Sequence, residues 1–99
     1  MEIIMTVKYH KSSEELARFA KALAHPVRIE ILKYLHNSSC CYTVDLVGIL
    51  PLAQSTVSQH LKELKDAGLI QGKIEPPKIK YCINRTNWKK AKKLFSNFF

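Results

Sequence analysis

The sequence predicts a mainly α fold with a small β-hairpin wing, in the order α-α-β-α-α-β-β-α. Three observations carry that expectation. Apolar residues recur at helical spacing over most of the chain, the period changes to two directly after Gly68, and helical spacing returns from Arg85 onward. With 99 residues there is room for one core, so residues 1–99 are expected to form a single domain. A hydrophobic fraction of 46% and a charged fraction of 24% are ordinary globular values and set aside disordered and fibrous classes.

The first helix is expected over residues 13–24. Ser12-Ser13-Glu14-Glu15 supplies hydroxyl caps and first-turn acids, and Leu16, Phe19, Ala20 and Leu23 follow at i, i+3, i+4, i+7. His25-Pro26 ends it, because the residue before a proline is pushed out of the α region, and Pro26 suits the start of the next helix. Val27, Ile31, Leu32 and Leu35 give that second helix its apolar stripe, up to a break at Asn37-Ser38-Ser39. Cys40-Cys41-Tyr42-Thr43 reads as a brief strand. A third, short helix begins at Thr43 or Asp45, carries Val44, Val47 and Leu50, and stops at Pro51. The fourth starts after Leu52-Ala53-Gln54, repeats Val57, Leu61 and Leu64, and has Gly68 placed just past its end. Leu69–Glu75 and Lys78–Asn84 then alternate about Pro76-Pro77, a hairpin with a proline tip. The last helix, residues 86–98, gathers Trp88, Ala91, Phe95 and Phe98 on one side, with Lys89, Lys90, Lys92 and Lys93 around the rest.

The net charge is +8 and is unevenly spread. Residues 1–61 carry six basic and five acidic side chains, residues 62–99 ten and three, so +7 lies in the last 38 residues. A polyanion is the natural partner for that end. The first eight residues hold Glu2 and no apolar run before a small-residue cleavage site, which does not read as a secretion signal. The longest nearly apolar window, Leu46 to Ala53, is far short of the ~20 residues of a membrane span. A soluble, cytoplasmic protein without a membrane partner is expected. In that compartment Cys40, Cys41 and Cys82 should be reduced, and an odd count argues against a disulfide framework. There is no Gly-rich phosphate loop, no paired-His metal motif and no nucleophile with spaced His and Asp, so an enzyme is not expected.

Only a few residues around Pro51 separate the third and fourth helices, the short turn a helix-turn-helix requires, and a basic hairpin follows at once. The order is that of a winged helix-turn-helix. The fourth helix then enters the major groove with Ser55, Ser58, Gln59, Lys62 and Lys65 on its open face, where Gln pairs with adenine and Ser bonds several bases. Lys73, Lys78 and Lys80 on the hairpin reach phosphate. Double-stranded DNA is the expected partner.

Ala22-Leu23-Ala24-His25-Pro26-Val27-Arg28-Ile29-Glu30-Ile31-Leu32 resembles the "ALAHPTRxxIL" segment of the ArsR/SmtB family of bacterial repressors. Residues 52–70, LAQSTVSQHLKELKDAGLI, resemble that family's recognition block "LSQSTVSxHLKxLxxAGLV". The resemblance implies a homodimeric repressor, joined through its first and last helices, that releases operator DNA when an effector binds. It places Gln54, Ser55, Thr56, Ser58, Gln59 and His60 at the DNA-facing start and middle of the recognition helix, and Leu16, Phe19, Trp88, Phe95 and Phe98 at the dimer contact. Ala53 departs from the family pattern, which has Ser there as the helix cap.

The effector is less constrained. Many family members carry cysteines in "CxCDL" or "CVxDL" before the third helix; aligning on Asp45-Leu46 puts Tyr42 and Val44 at those positions. The family's zinc site in the last helix is absent, since no His follows His60. There remain Cys40, Cys41 and Cys82. The strand before the third helix commonly pairs with the second hairpin strand of a winged helix, which brings Cys40 or Cys41 near Cys82, while alternation keeps Cys40 and Cys41 from aiming at one ion. Cys82 shares parity with Lys78 and Lys80, so an accessible thiol with favoured thiolate is expected. Three readings stay open: a thiophilic metalloid such as As(III), reversible oxidation or persulfide chemistry, and cysteines without an effector role. His25 reads as structural, His10 and His36 as surface residues, and His60 as either a DNA contact or a packing residue. A second class of function is a basic interaction module whose last helix docks on an anionic membrane or an acidic protein.

Overall fold

A computed structural model describes residues 9–38 and 40–99. The sequence reading of residues 1–8, and Ser39 within the expected break, lie outside the described residues.

Helix α1 spans Lys11–Ala22, two residues ahead of expectation. His10 is its cap, with no side-chain capping bond, and the Glu14 N–H already donates to the His10 carbonyl at 3.1 Å. Ser12 and Ser13 therefore lie inside the first turn rather than capping it. Helix α2 runs Pro26–Ser38. His25 caps it: its Nδ1 accepts the Val27 N–H at 3.1 Å, the service that Ser or Asn commonly gives, and Pro26 occupies the first position, where no N–H is needed. Strand β1 is Cys40–Tyr42 and leads without a gap into α3, Thr43–Ile49, where Asp45 Oδ2 accepts the Tyr42 N–H at 3.2 Å.

Helix α4 covers Gln54–Asp66 and begins at Ala53 without a side-chain cap. Its far end is closed by Gly68, whose φ of +86° is a left-handed conformation that costs glycine little. That turn lets the Gly68 N–H reach the Lys65 carbonyl (2.9 Å) and the Leu69 N–H reach the Leu64 carbonyl (3.1 Å), the paired bonds of a Schellman end. Strands β2, Ile70–Glu75, and β3, Lys78–Ile83, form the hairpin. Helix α5, Arg85–Phe98, is capped by Asn84 Oδ1, which accepts the Asn87 N–H at 3.1 Å.

The sheet is antiparallel in the order β1-β3-β2, so β1 does pair with the second hairpin strand. Phe19, Ile31, Leu35, Leu46, Val57, Leu61, Leu64, Leu69 and Ile70 are each almost wholly buried, and together they hold α1 to α4 and the base of the wing around one core. Burial of Val57, Leu61 and Leu64 turns the opposite side of α4 outward. The expected winged helix, mainly α with a small sheet, is the observed architecture. One expected dimer residue is corrected: Phe19 is 0% exposed, because its helix face also carries buried Ala22 and points into the core, so its ring is not available to a second copy.

Candidate nucleic-acid interface

At 100° per residue, Ser55, Gln59 and Lys62 lie opposite the buried residues of α4 and Ser58 and Lys65 on its flank, and all five are exposed. Gln54 and Thr56 are exposed in its first turn, which holds no acidic side chain. The exposed face is internally braced. The Lys62 ammonium donates to Asp66 Oδ2 at 2.8 Å, which raises its pKa, and Gln59 Nε2 donates to Glu63 Oε2 at 3.5 Å.

The wing adds its charge from one face of the sheet. Register places Lys73 opposite Lys80 and Lys80 opposite Tyr42, then Glu75 opposite Lys78, and alternation puts all of them on the same side. Tyr42 and Glu75 were not foreseen. The Tyr42 hydroxyl donates to Glu75 Oε1 at 2.6 Å, and that bond holds the Glu75 carboxyl below its ordinary pKa and pushes the Tyr42 hydroxyl up. The Lys78 ammonium sits 5.1 Å from the Tyr42 ring centroid. These contacts fasten the base of α3 to the wing tip. Between wing and α4 lies a groove of about 500 Å³ lined by Tyr42, Val44, Gln54, Ser58, Lys78 and Tyr81, so donors from the helix and a cation from the wing face the same space.

The cysteines correct two expectations. Cys40 lies directly opposite Cys82 and the two are joined in a disulfide, so neither is a free thiol and Cys82 offers no thiolate beside the wing lysines. One pair plus one unpaired residue accounts for the odd count. Cys41 is the unpaired one: alternation sends it to the opposite face, where it is 5% exposed, and burial followed by the Asp45 charge pushes its thiol up to about 11. A soft metalloid needs thiolates converging on one point; Cys41, on the opposite face, does not converge with Cys40 and Cys82, which are joined to each other. Among the described residues no group of three His, Cys, Asp or Glu side chains could hold a metal ion.

His60 faces inward. Its Nδ1 accepts from Arg28 Nε at 3.2 Å, and its ring centroid is 4.4 Å from that of His25. Burial, with the His25 and Arg28 charges, lowers its pKa against the opposing pull of Glu63. Arg28, part of the segment that resembles the family but given no role from the sequence, thus braces the recognition helix from behind. No described helix is long and apolar enough to cross a membrane.

The family model of the bacterial regulatory proteins of the arsR family matches residues 25–71, which run from the α2 cap through α4 into β2. The HTH-type transcriptional regulator YgaV of Escherichia coli (strain K12) is 38% identical over 72 residues, 73% of each chain. The transcriptional repressor PagR of Bacillus anthracis is 35% identical over 75 residues, 76% of this chain and 75% of that one. The solved structure of HlyU from Vibrio cholerae N16961 superposes with a TM-score of 0.75 at 28% identity, covering 92% of this chain and 98% of that one. These likenesses favour a regulator over a basic docking module, and the family is one of transcriptional regulators rather than enzymes. A helix-turn-helix with an exposed polar face, a lysine-bearing wing and these relatives make the chain a member of the ArsR/SmtB family of DNA-binding transcriptional regulators.

Proposed function

We propose that the chain works as a dimeric repressor that reads operator DNA with the exposed face of α4 and grips phosphate with the wing. The observation that carries this reading is the shared groove, where Gln54 and Ser58 face Lys78 across open space. Gln54, Ser55, Thr56, Ser58 and Gln59 supply base contacts, and Lys62, Lys65, Lys73, Lys78 and Lys80 phosphate contacts; His60 acts from behind the helix. Dimerisation through α1 and α5 is supported by their unpartnered apolar surface. Leu16, Trp88 and Phe95 are half-buried, Phe98 is 70% exposed, and Leu23, Leu69, Trp88 and Phe95 line an apolar groove of about 340 Å³. An ion pair between Glu15 and Lys90 ties the two helices within one protomer and lowers the Glu15 pKa.

A second reading concerns the effector. The Cys40–Cys82 bond supports reversible thiol oxidation over metalloid capture: the two thiols give up two protons and two electrons to a hydroperoxide, which leaves as alcohol and water. The bond lies on the sheet face that carries Lys73, Lys78 and Lys80, so its state reaches the phosphate-gripping surface directly.

Selection of duplexes from a random-sequence pool tests the main reading. The enriched sequence should be two-fold symmetric, with half-sites about one turn, ~34 Å, or a multiple apart, and should sediment with two chains per duplex. Enrichment of a single unsymmetrical site carrying one chain would contradict the dimer.

A further inference from the structure

The recognition helix is held from behind through its own His60, by Arg28 and His25 at the start of α2. Arg28, in the first turn of α2, points its guanidinium both ways: Nε donates to His60 Nδ1 on α4 at 3.2 Å, and Nη1 donates to the Lys21 and Ala22 carbonyls at the end of α1, at 3.3 and 3.4 Å. One residue therefore couples the proposed dimer helix to the proposed recognition helix. His25 sits in the α1–α2 junction with its ring tilted 48° against that of His60.

Both imidazoles are used as acceptors at Nδ1, His25 for the Val27 N–H and His60 for Arg28. A ring that accepts at Nδ1 is neutral and carries its proton on Nε2. Protonating His60 would turn an N–H toward the Arg28 N–H and set a second cation against the guanidinium. The surrounding charges are mixed. Arg28 from α2 and His25 from the junction oppose the proton; on α4, Glu63 favours it, and with Asp66 it faces Arg18 and Lys21 of α1 across a groove of about 170 Å³. Burial adds to the opposition, so the neutral ring is the native form near neutrality.

We propose that His25, Arg28 and His60 form an acid-sensitive joint that positions the recognition helix, and that protonation of His60 loosens it and weakens operator binding. The proposal rests on α4 being the helix that reads DNA. Direct phosphate contact by His60 predicts the opposite sign, because a protonated ring would then tighten binding.

The test measures affinity for the duplex selected at neutral pH. Between about pH 7.5 and about pH 5.5 the wild-type protein should lose about fivefold or more, while His60→Asn, whose amide oxygen still accepts from Arg28 but does not titrate, should change by less than about twofold. His60→Gln serves if the Asn variant does not fold by circular dichroism. Arg28→Lys, which keeps the charge but cannot bridge both helices, should weaken selected-duplex binding at neutral pH without altering its salt dependence. Wild-type affinity that stays flat or rises in acid, or a fall shared equally by the His60 variants, would overturn the joint. If Gln59→Ala binds the selected duplex as the wild type does, the α4 reading itself fails; if Gln59→Ala weakens binding and the acid profile is flat, only the joint fails.

Discussion

Reduction of the Cys40–Cys82 bond is expected to lower the unfolding free energy by about 2–4 kcal/mol. The bond closes a loop with a sequence separation of 42, long enough for chain entropy in the unfolded state to give the upper figure. Within the fold it ties the strand that feeds α3 to the returning strand of the wing. Urea unfolding with and without reductant measures the effect. The doubly substituted Cys40→Ser, Cys82→Ser protein should unfold at the lower midpoint and ignore reductant, whereas Cys41→Ala should respond as the wild type does. An unchanged wild-type midpoint under reductant would show that the bond does not form in solution. If the thiol effector reading holds, operator affinity should also differ between the two redox states, and that difference should vanish in the double variant.

Replacing Gln59 or Ser55 with Ala should weaken binding to the selected duplex by about 1–3 kcal/mol each, a factor of roughly five to more than a hundred, and leave a scrambled duplex unaffected. Both residues are exposed on α4, so neither substitution disturbs the core. Lys73→Ala and Lys78→Ala should act differently, lowering affinity for both duplexes by the same factor, because phosphate contacts carry no sequence information. Competition titrations on the two duplexes separate the classes. Equal losses on both for Gln59→Ala would remove that residue from base readout.

The helices and the hairpin were readable because each buries a stripe whose period the sequence displays. Val57, Leu61 and Leu64 fix the inward side of α4, and the outward side follows by subtraction. Gly68 was readable for a similar reason, since a left-handed helix end selects for glycine. What was not readable depends on side chains far apart in sequence. Tyr42 meets Glu75 across 33 positions, and Arg28 meets His60 across 32, through a three-dimensional arrangement that no local spacing encodes. Phe19 fits an apolar helical stripe equally well whether that stripe faces its own core or a second copy, and only packing decides. The disulfide required the strand register, which sets Cys40 rather than Cys41 against Cys82. A shift of one residue would have exchanged them, because neighbouring residues in a strand point to opposite faces.

In the proposed complex a dimer holds operator DNA through lysines on α4 and the wing. The salt dependence of binding to the selected duplex reports that grip. Two copies of about three to five contacting lysines, at ~−0.9 per phosphate neutralised, predict a slope of log K against log salt of roughly −5 to −9. Lys78→Ala, removing one contact from each copy, should make that slope shallower by about 2. A slope shallower than about −2, or one that Lys78→Ala leaves unchanged, would contradict a two-chain grip built on these residues.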